Sequence, residues 1–101
     1  MLRVAICDDL LTDLENASKM VDNLLYSLNI EYEIEKYSNG RALLNSKISF
    51  DLILLDIEMD EINGIDVARE IRKYNNDSKI IFITNSTNYL QIGYTVRADR
   101  Y

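Results

Sequence analysis

Three stretches of this chain are apolar almost without interruption: Leu2 to Cys7, broken only by Arg3, then Leu52 to Leu55, then the run "KIIFITNS" from Lys79. Each stops at a polar position, the first at Asp8 and Asp9, the second at Asp56 and the third at Thr84. A strand buried on both faces reads as a continuous run of this kind, whereas a half-exposed strand alternates. Tyr32 to Tyr37 alternates weakly and reads as the half-exposed type. Between the strands the period changes to that of a helix. Leu14, Ala17, Val21, Leu24 and Leu28 recur at steps of three and four, and Thr12 with Glu15 has the spacing of a capping box at the helix start. "SNGRALLNSK" supplies a turn and a short helix. From Gly64, the residues Val67, Ala68, Ile71 and Tyr74 form another apolar stripe, with Asp66, Arg69, Glu70, Arg72 and Lys73 on the other faces. A last helix is expected over Thr87 to Val96, weakened by Gly93 and by β-branched residues.

Strands and helices in the order βαβαβαβα predict an α/β fold, a doubly wound parallel sheet with right-handed crossovers and helices on both faces. Ligands of such sheets bind outside the carboxyl ends of the strands. The pattern therefore delivers Asp8, Asp9, Asp56 and Thr84 to one edge.

Composition narrows what that edge can do. With 101 residues, 48% of them hydrophobic, the chain is expected to form one domain around one core. It has no histidine, which removes Ser-His-Asp, Cys-His and His-metal chemistry together, and its single cysteine, Cys7, reads as a small core residue of the first strand. The net charge is −6 and no basic run exceeds Arg72-Lys73, so any contact with DNA would have to come from another domain. No apolar run approaches the roughly 20 residues that cross a bilayer, and "MLRVAICDD" is not a leader, so no membrane partner and a cytoplasmic setting are expected. Nucleotide-binding glycine strings of the forms G-x-G-x-x-G and G-x-x-x-x-G-K-[ST] do not occur.

Two ionised carboxylates about 4 Å apart repel by roughly 4 kcal/mol at an effective dielectric near 20, so three converging ones call for a cation. An all-oxygen donor set without histidine or a second cysteine favours a hard ion, and Mg²⁺ fits best. Taken singly, each residue has an ordinary explanation. An Asp-Asp pair can open a loop or cap a helix, Asp56 can face water at a strand end, and Thr84 can be a β-prone hydroxyl. Their joint arrival at the ends of three buried strands favours a site.

These residues resemble a response-regulator receiver domain, the flavodoxin-like phosphoacceptor module of two-component signalling, with strand order 2-1-3-4 before a fifth strand. The resemblance spans the chain and rests on "VAICDD", "DLILLDIEM", Gly64 eight positions after Asp56, "GIDVAREIRKY" and "IIFIT" ending in Thr84. "YTVRADRY" is similar to the segment leading into the fifth strand of receivers attached to LytTR-type DNA-binding domains. The resemblance implies that Asp56 accepts a phosphoryl group from a phosphohistidine on a sensor histidine kinase. It implies Asp9 as a direct Mg²⁺ ligand with Asp8 assisting, the Glu58 backbone carbonyl as a further ligand, Thr84 as the switch hydroxyl and Tyr101 as the switch aromatic. Such a domain is a signalling acceptor, not a turnover enzyme, and its output through an attached domain would be regulation of transcription.

Three departures from the family pattern stand out. Asp60 occupies the usual proline position after "DIEM", and Asn85 follows Thr84 where a smaller residue is commoner. The family's essential lysine would lie three residues beyond the position matched by Tyr101, so residues 1–101 are expected to be a receiver incomplete at its C-terminus, lacking the fifth strand and last helix. Without that strand, "KIIFIT" would be an apolar sheet edge inviting self-association. Two other functions compete with the phosphoacceptor. One is a receiver-like interaction or dimerisation module that is never phosphorylated. The other is a metal-dependent phosphatase, whose Asp-x-Asp would need aspartate where this chain has Glu58.

Overall fold

The computed structural model describes residues 1–83. The expected helix over Thr87 to Val96, together with Thr84, Asn85 and Tyr101, lies outside the described residues. Within them the chain runs β1 (Leu2–Cys7), α1 (Leu11–Ser27), β2 (Tyr32–Tyr37), α2 (Gly40–Asn45), β3 (Leu52–Asp56), α3 (Gly64–Arg72) and β4 (Lys79–Ile83). The four strands are parallel in the order β2-β1-β3-β4, as the expected topology requires.

The apolar runs are continuous because each central strand feeds two cores. Ala5, Cys7, Ile53, Leu55, Ile80 and Phe82 point to the face covered by α2 and α3, where Leu43, Val67, Ala68 and Ile71 close over them. Val4, Ile6 and Leu54 point the other way, against Leu14, Ala17, Val21 and Leu25 of α1. Alternation of side chains along a strand assigns neighbours to opposite faces, so once a strand enters the core, as β1 does from Val4, no position is left for an acid until the strand ends. β2 lies at one edge, and its two-faced alternation matches that position.

Three local expectations need correction. The Thr12–Glu15 capping box does not form: α1 begins at Leu11 with Leu10 at the cap position and no side-chain cap, so Thr12 is already inside the helix. The Glu15 carboxylate turns instead to Lys36 Nζ on β2, 2.8 Å away. The buried stripe of α1 continues to Leu25, while Leu24 is 55% and Leu28 57% exposed. At 3.6 residues per turn Leu25 returns to the face of Leu14 after three turns, Leu24 falls about 80° short of that face, and Leu28 is the C-cap at the helix end. There Asn29 takes a left-handed conformation (φ 56°), with Ile30 N–H donating to Leu25 O and Asn29 N–H to Tyr26 O, the Schellman arrangement. Tyr74 likewise drops out of its stripe, because α3 ends at Arg72 and leaves the ring exposed.

Candidate functional site

Strand register assembles the site. Cys7 pairs with Leu55 across β1 and β3, so the next residues on each strand, Asp8 and Asp56, leave the sheet side by side. Asp56 in turn pairs with Ile83 at the end of β4. Asp8, Asp9 and Asp56 each offer a carboxylate oxygen within 4.8 Å of the others, the sole acidic grouping of this kind among the described residues. Asp8 is 3% exposed, Asp56 half-buried and Asp9 exposed.

Backbone N–H groups hold the three acids in place. Asp8 Oδ1 accepts from Leu10 N–H at 3.0 Å, which makes the loop between β1 and α1 the support of the buried acid. Asp9 Oδ2 accepts from Asp60 N–H at 3.4 Å, tying β1 to the loop after β3. Glu58 N–H donates to the Asp56 carboxylate. That loop is folded tightly against the strand it leaves. Glu61 has φ 67°, Ile62 N–H donates to Asp60 O and Gly64 N–H to Ile57 O. At Gly64 a Cβ would collide with the Asp56 carbonyl oxygen and come within 2.9 Å of Ile57 Cα. The glycine eight positions after Asp56 is thus required by the close approach of α3's first turn to the end of β3. Asn63, just before it, caps α3 by accepting from Asp66 N–H at 2.9 Å.

The electrostatics are those of crowded anions. Asp56 is pushed up to about 7, first by burial, then by the negative charges of Asp8 and Asp9 and a hydrogen bond shared with Asp8, against the lowering effect of Glu58 N–H. Asp8 is also raised, chiefly by burial, although Leu10 N–H lowers it. Among the described residues no cationic side chain figures among the groups acting on either carboxyl. Cys7, directly beneath the cluster and fully buried, is pushed up to about 12, so its thiol is a neutral core group touching Met59 Sδ at 3.7 Å. Three oxygen donors with uncompensated negative charge and no soft ligand fit a hard divalent cation such as Mg²⁺.

Asp8, Asp9 and Asp56 are therefore brought together, and Glu58 is an exposed residue two positions beyond Asp56 whose N–H touches it. Asp60, at the family's usual proline position, is exposed and contributes its backbone N–H to Asp9. Sequence reasoning missed one wall. A cavity of about 320 Å³ runs from Asp8 and Asp56 along α1, past Asp13, Asn16, Ala17 and Met20 to Ile83. These helix residues recur at three- and four-residue steps beside the buried stripe, and only the seating of α1 on the sheet reveals that this flank overlooks the acids.

The family model of the response regulator receiver domain matches residues 4–101. The chain belongs to this family. Among relatives of the receiver, response regulator ArlR of Staphylococcus haemolyticus is 35% identical over 79 residues, covering 75% of this chain and 33% of its own. Sensory transduction protein LytT of Bacillus subtilis is 30% identical over 103 residues, covering 100% of this chain and 41% of its own. The receiver thus spans well under half the length of these curated relatives. Response regulator TrrA of Thermotoga maritima, solved in complex with Mg²⁺-BeF, superposes with a TM-score of 0.84 at 33% identity, covering 100% of this chain and 84% of that one. TrrA in complex with histidine kinase ThkA superposes with a TM-score of 0.73 at 34% identity, again covering 100% of this chain and 84% of that one. The receiver fold and a role in two-component signalling follow from these matches.

Proposed function

We propose that Asp56 is the phosphoacceptor of this receiver and takes its phosphoryl group from a phosphohistidine on a sensor histidine kinase. The observation that carries the reading is the half-buried Asp56 carboxyl at the C-terminal end of β3, held by Glu58 N–H and crowded by Asp8 and Asp9. Asp8, Asp9, Asp56 and the Glu58 carbonyl would hold Mg²⁺, which when bound offsets the charge of the acids and of the incoming phosphoryl oxygens. Phosphoryl transfer asks the protein for alignment and charge neutralisation more than for covalent help. Asp56 supplies the attacking oxygen, and it attacks only when ionised. Leu10 N–H fixes Asp8, and Asp60 N–H steadies Asp9, so the acids are positioned before any ligand arrives.

Thr84 and Tyr101 would act as the switch residues, and self-association would run through β4, an edge strand among the described residues. The kinase partner and the cation are supported by TrrA, solved with ThkA and with Mg²⁺-BeF. An attached LytTR-type DNA-binding domain is supported by the likeness to LytT and would make transcription the output. The chain covers 33% of ArlR and 41% of LytT, and the receiver would be the phosphoacceptor part of a longer regulator.

The test is intact mass of the full-length protein, incubated with Mg²⁺ and a small-molecule phosphodonor. One added phosphoryl group is expected, absent without Mg²⁺ and absent in Asp56→Asn. A chain that stays unlabelled where an ordinary receiver is labelled would be the interaction module instead.

A further inference from the structure

The cavity beside Asp56 has carboxylates on two facing walls. On the sheet side lie Asp8 and Asp56, and on the α1 side Asp13, Asn16 and Met20, with Ile83 at the far end. Asp13 stands in the first turn of α1, and its negative charge is felt at Asp8, where it adds to the upward push on that carboxyl. A carboxylate in the first helical turn has an ordinary role, since it complements the positive end of the helix dipole. Here the same carboxylate also lines the cavity that Asp56 lines. Asp8 and Asp9 are already committed to backbone N–H groups, and they are the acids that fit a cation. Asp13, exposed on the opposite wall, belongs to neither set and adds a third negative charge to the cavity.

We infer that Asp13 is a specificity-determining residue that selects phosphodonors by the charge of their leaving group. The inference rests on Asp56 being the phosphoacceptor. In the transfer an Asp56 carboxylate oxygen forms the new O–P bond while the bond from phosphorus to the donor breaks, its electron pair going to the leaving atom. When the donor is a phosphoramidate, the nitrogen is already protonated and departs as a neutral amine. When it is an acyl phosphate, the departing oxygen carries a full negative charge as carboxylate. An anionic wall at Asp13 repels the second donor, which carries more negative charge and releases an anion, more strongly than the first. A protonated phosphohistidine belongs with the first kind.

The experiment measures the initial rates of Asp56 labelling by phosphoramidate and by acetyl phosphate, in the full-length protein, for the parent, Asp13→Asn and Asp13→Glu. The rate ratio cancels any common loss of folded protein or cation affinity. In Asp13→Asn the acetyl phosphate rate is expected to rise relative to phosphoramidate by about threefold or more at low salt, while Asp13→Glu keeps the parent ratio. Raising the ionic strength should bring the parent ratio toward that of Asp13→Asn and leave the variant nearly unchanged. Labelling by both donors with the same ratio in all three proteins overturns this inference and leaves the phosphoacceptor reading intact. No labelling by either donor overturns that reading, and this inference with it.

Discussion

Asp56 ties the protonation state of one side chain to the stability of the fold. Its carboxyl is raised to about 7 from 3.8, so between those values the cation-free folded chain holds a proton that the unfolded chain has released. The resulting stabilisation is complete below about pH 4 and is lost as the pH rises through 7, an effect on the order of 2 kcal/mol after discounting for solvent screening. Urea midpoints in chelator should therefore fall between pH 5 and pH 7.5, and added Mg²⁺ should restore more stability at the higher pH; midpoints flat with pH would contradict the crowding of acids. Gly64 is a second residue-scale test. Gly64→Ala drives a methyl into the Asp56 carbonyl, and a loss of about 2–4 kcal/mol is expected in chemical unfolding, from overpacking against backbone that cannot move without shifting the site. Sequence alone supplied Asp8, Asp9 and Asp56 because buried strands cannot carry acids before their ends. It did not supply Asp13, whose relation to the site depends on how α1 is rotated against the sheet.

At the scale of elements, the helices differ in how they are started. Asn39 and Asn63 cap α2 and α3 with side-chain oxygens, at 2.8 Å from Ala42 N and 2.9 Å from Asp66 N. Asn63→Ala should cost about 1 kcal/mol, read from the unfolding midpoint, and should also loosen the loop that carries Glu58 and Asp60. α1 has no such cap, because the residue at its cap position is the exposed Leu10. Leu10→Ser should accordingly stabilise the chain by about 0.5–1 kcal/mol, and a destabilised variant would mean that Leu10 has a packing role that its exposure conceals. The same region explains where the sequence was misleading. Thr12 and Glu15 had the right spacing for a box, but the loop from β1 is short, α1 starts one residue before Thr12, and Glu15 meets Lys36. Periodicity located α1 and misjudged only its last turns, where Leu24 and Leu28 satisfied the pattern and Leu25 took the buried place.

For the whole molecule, the layered order β2-β1-β3-β4 was legible because continuous apolar runs and intervening helices admit few other arrangements. The two cores are unequal, with the larger beneath α2 and α3. Truncation of Phe82, 1% exposed in that larger core, should cost about 3–5 kcal/mol and unfold the chain at moderate temperature. Its counterpart on the α1 side, Leu54→Ala, should cost about 2–5 kcal/mol, and tyrosine fluorescence or circular dichroism would follow both. A Phe82→Ala chain as stable as the parent would mean that the core closes differently.

The central position of β1 also makes the acidic cluster a report on chain closure. β1 and β3 are neighbours in the sheet but distant along the chain, and the bond from Arg3 N–H to Asp51 already spans 48 residues. Asp8 and Asp56 meet only when a complete β-α-β-α-β excursion has returned, so an unfolded chain offers a divalent cation scattered acids and no shared site. A cation that binds the folded chain alone then raises its melting temperature by mass action, and its effect on refolding and unfolding rates dates the closure of β3 onto β1. If Mg²⁺ slows unfolding without speeding refolding, the two strands join after the folding barrier; if it speeds refolding, their pairing is part of the nucleus.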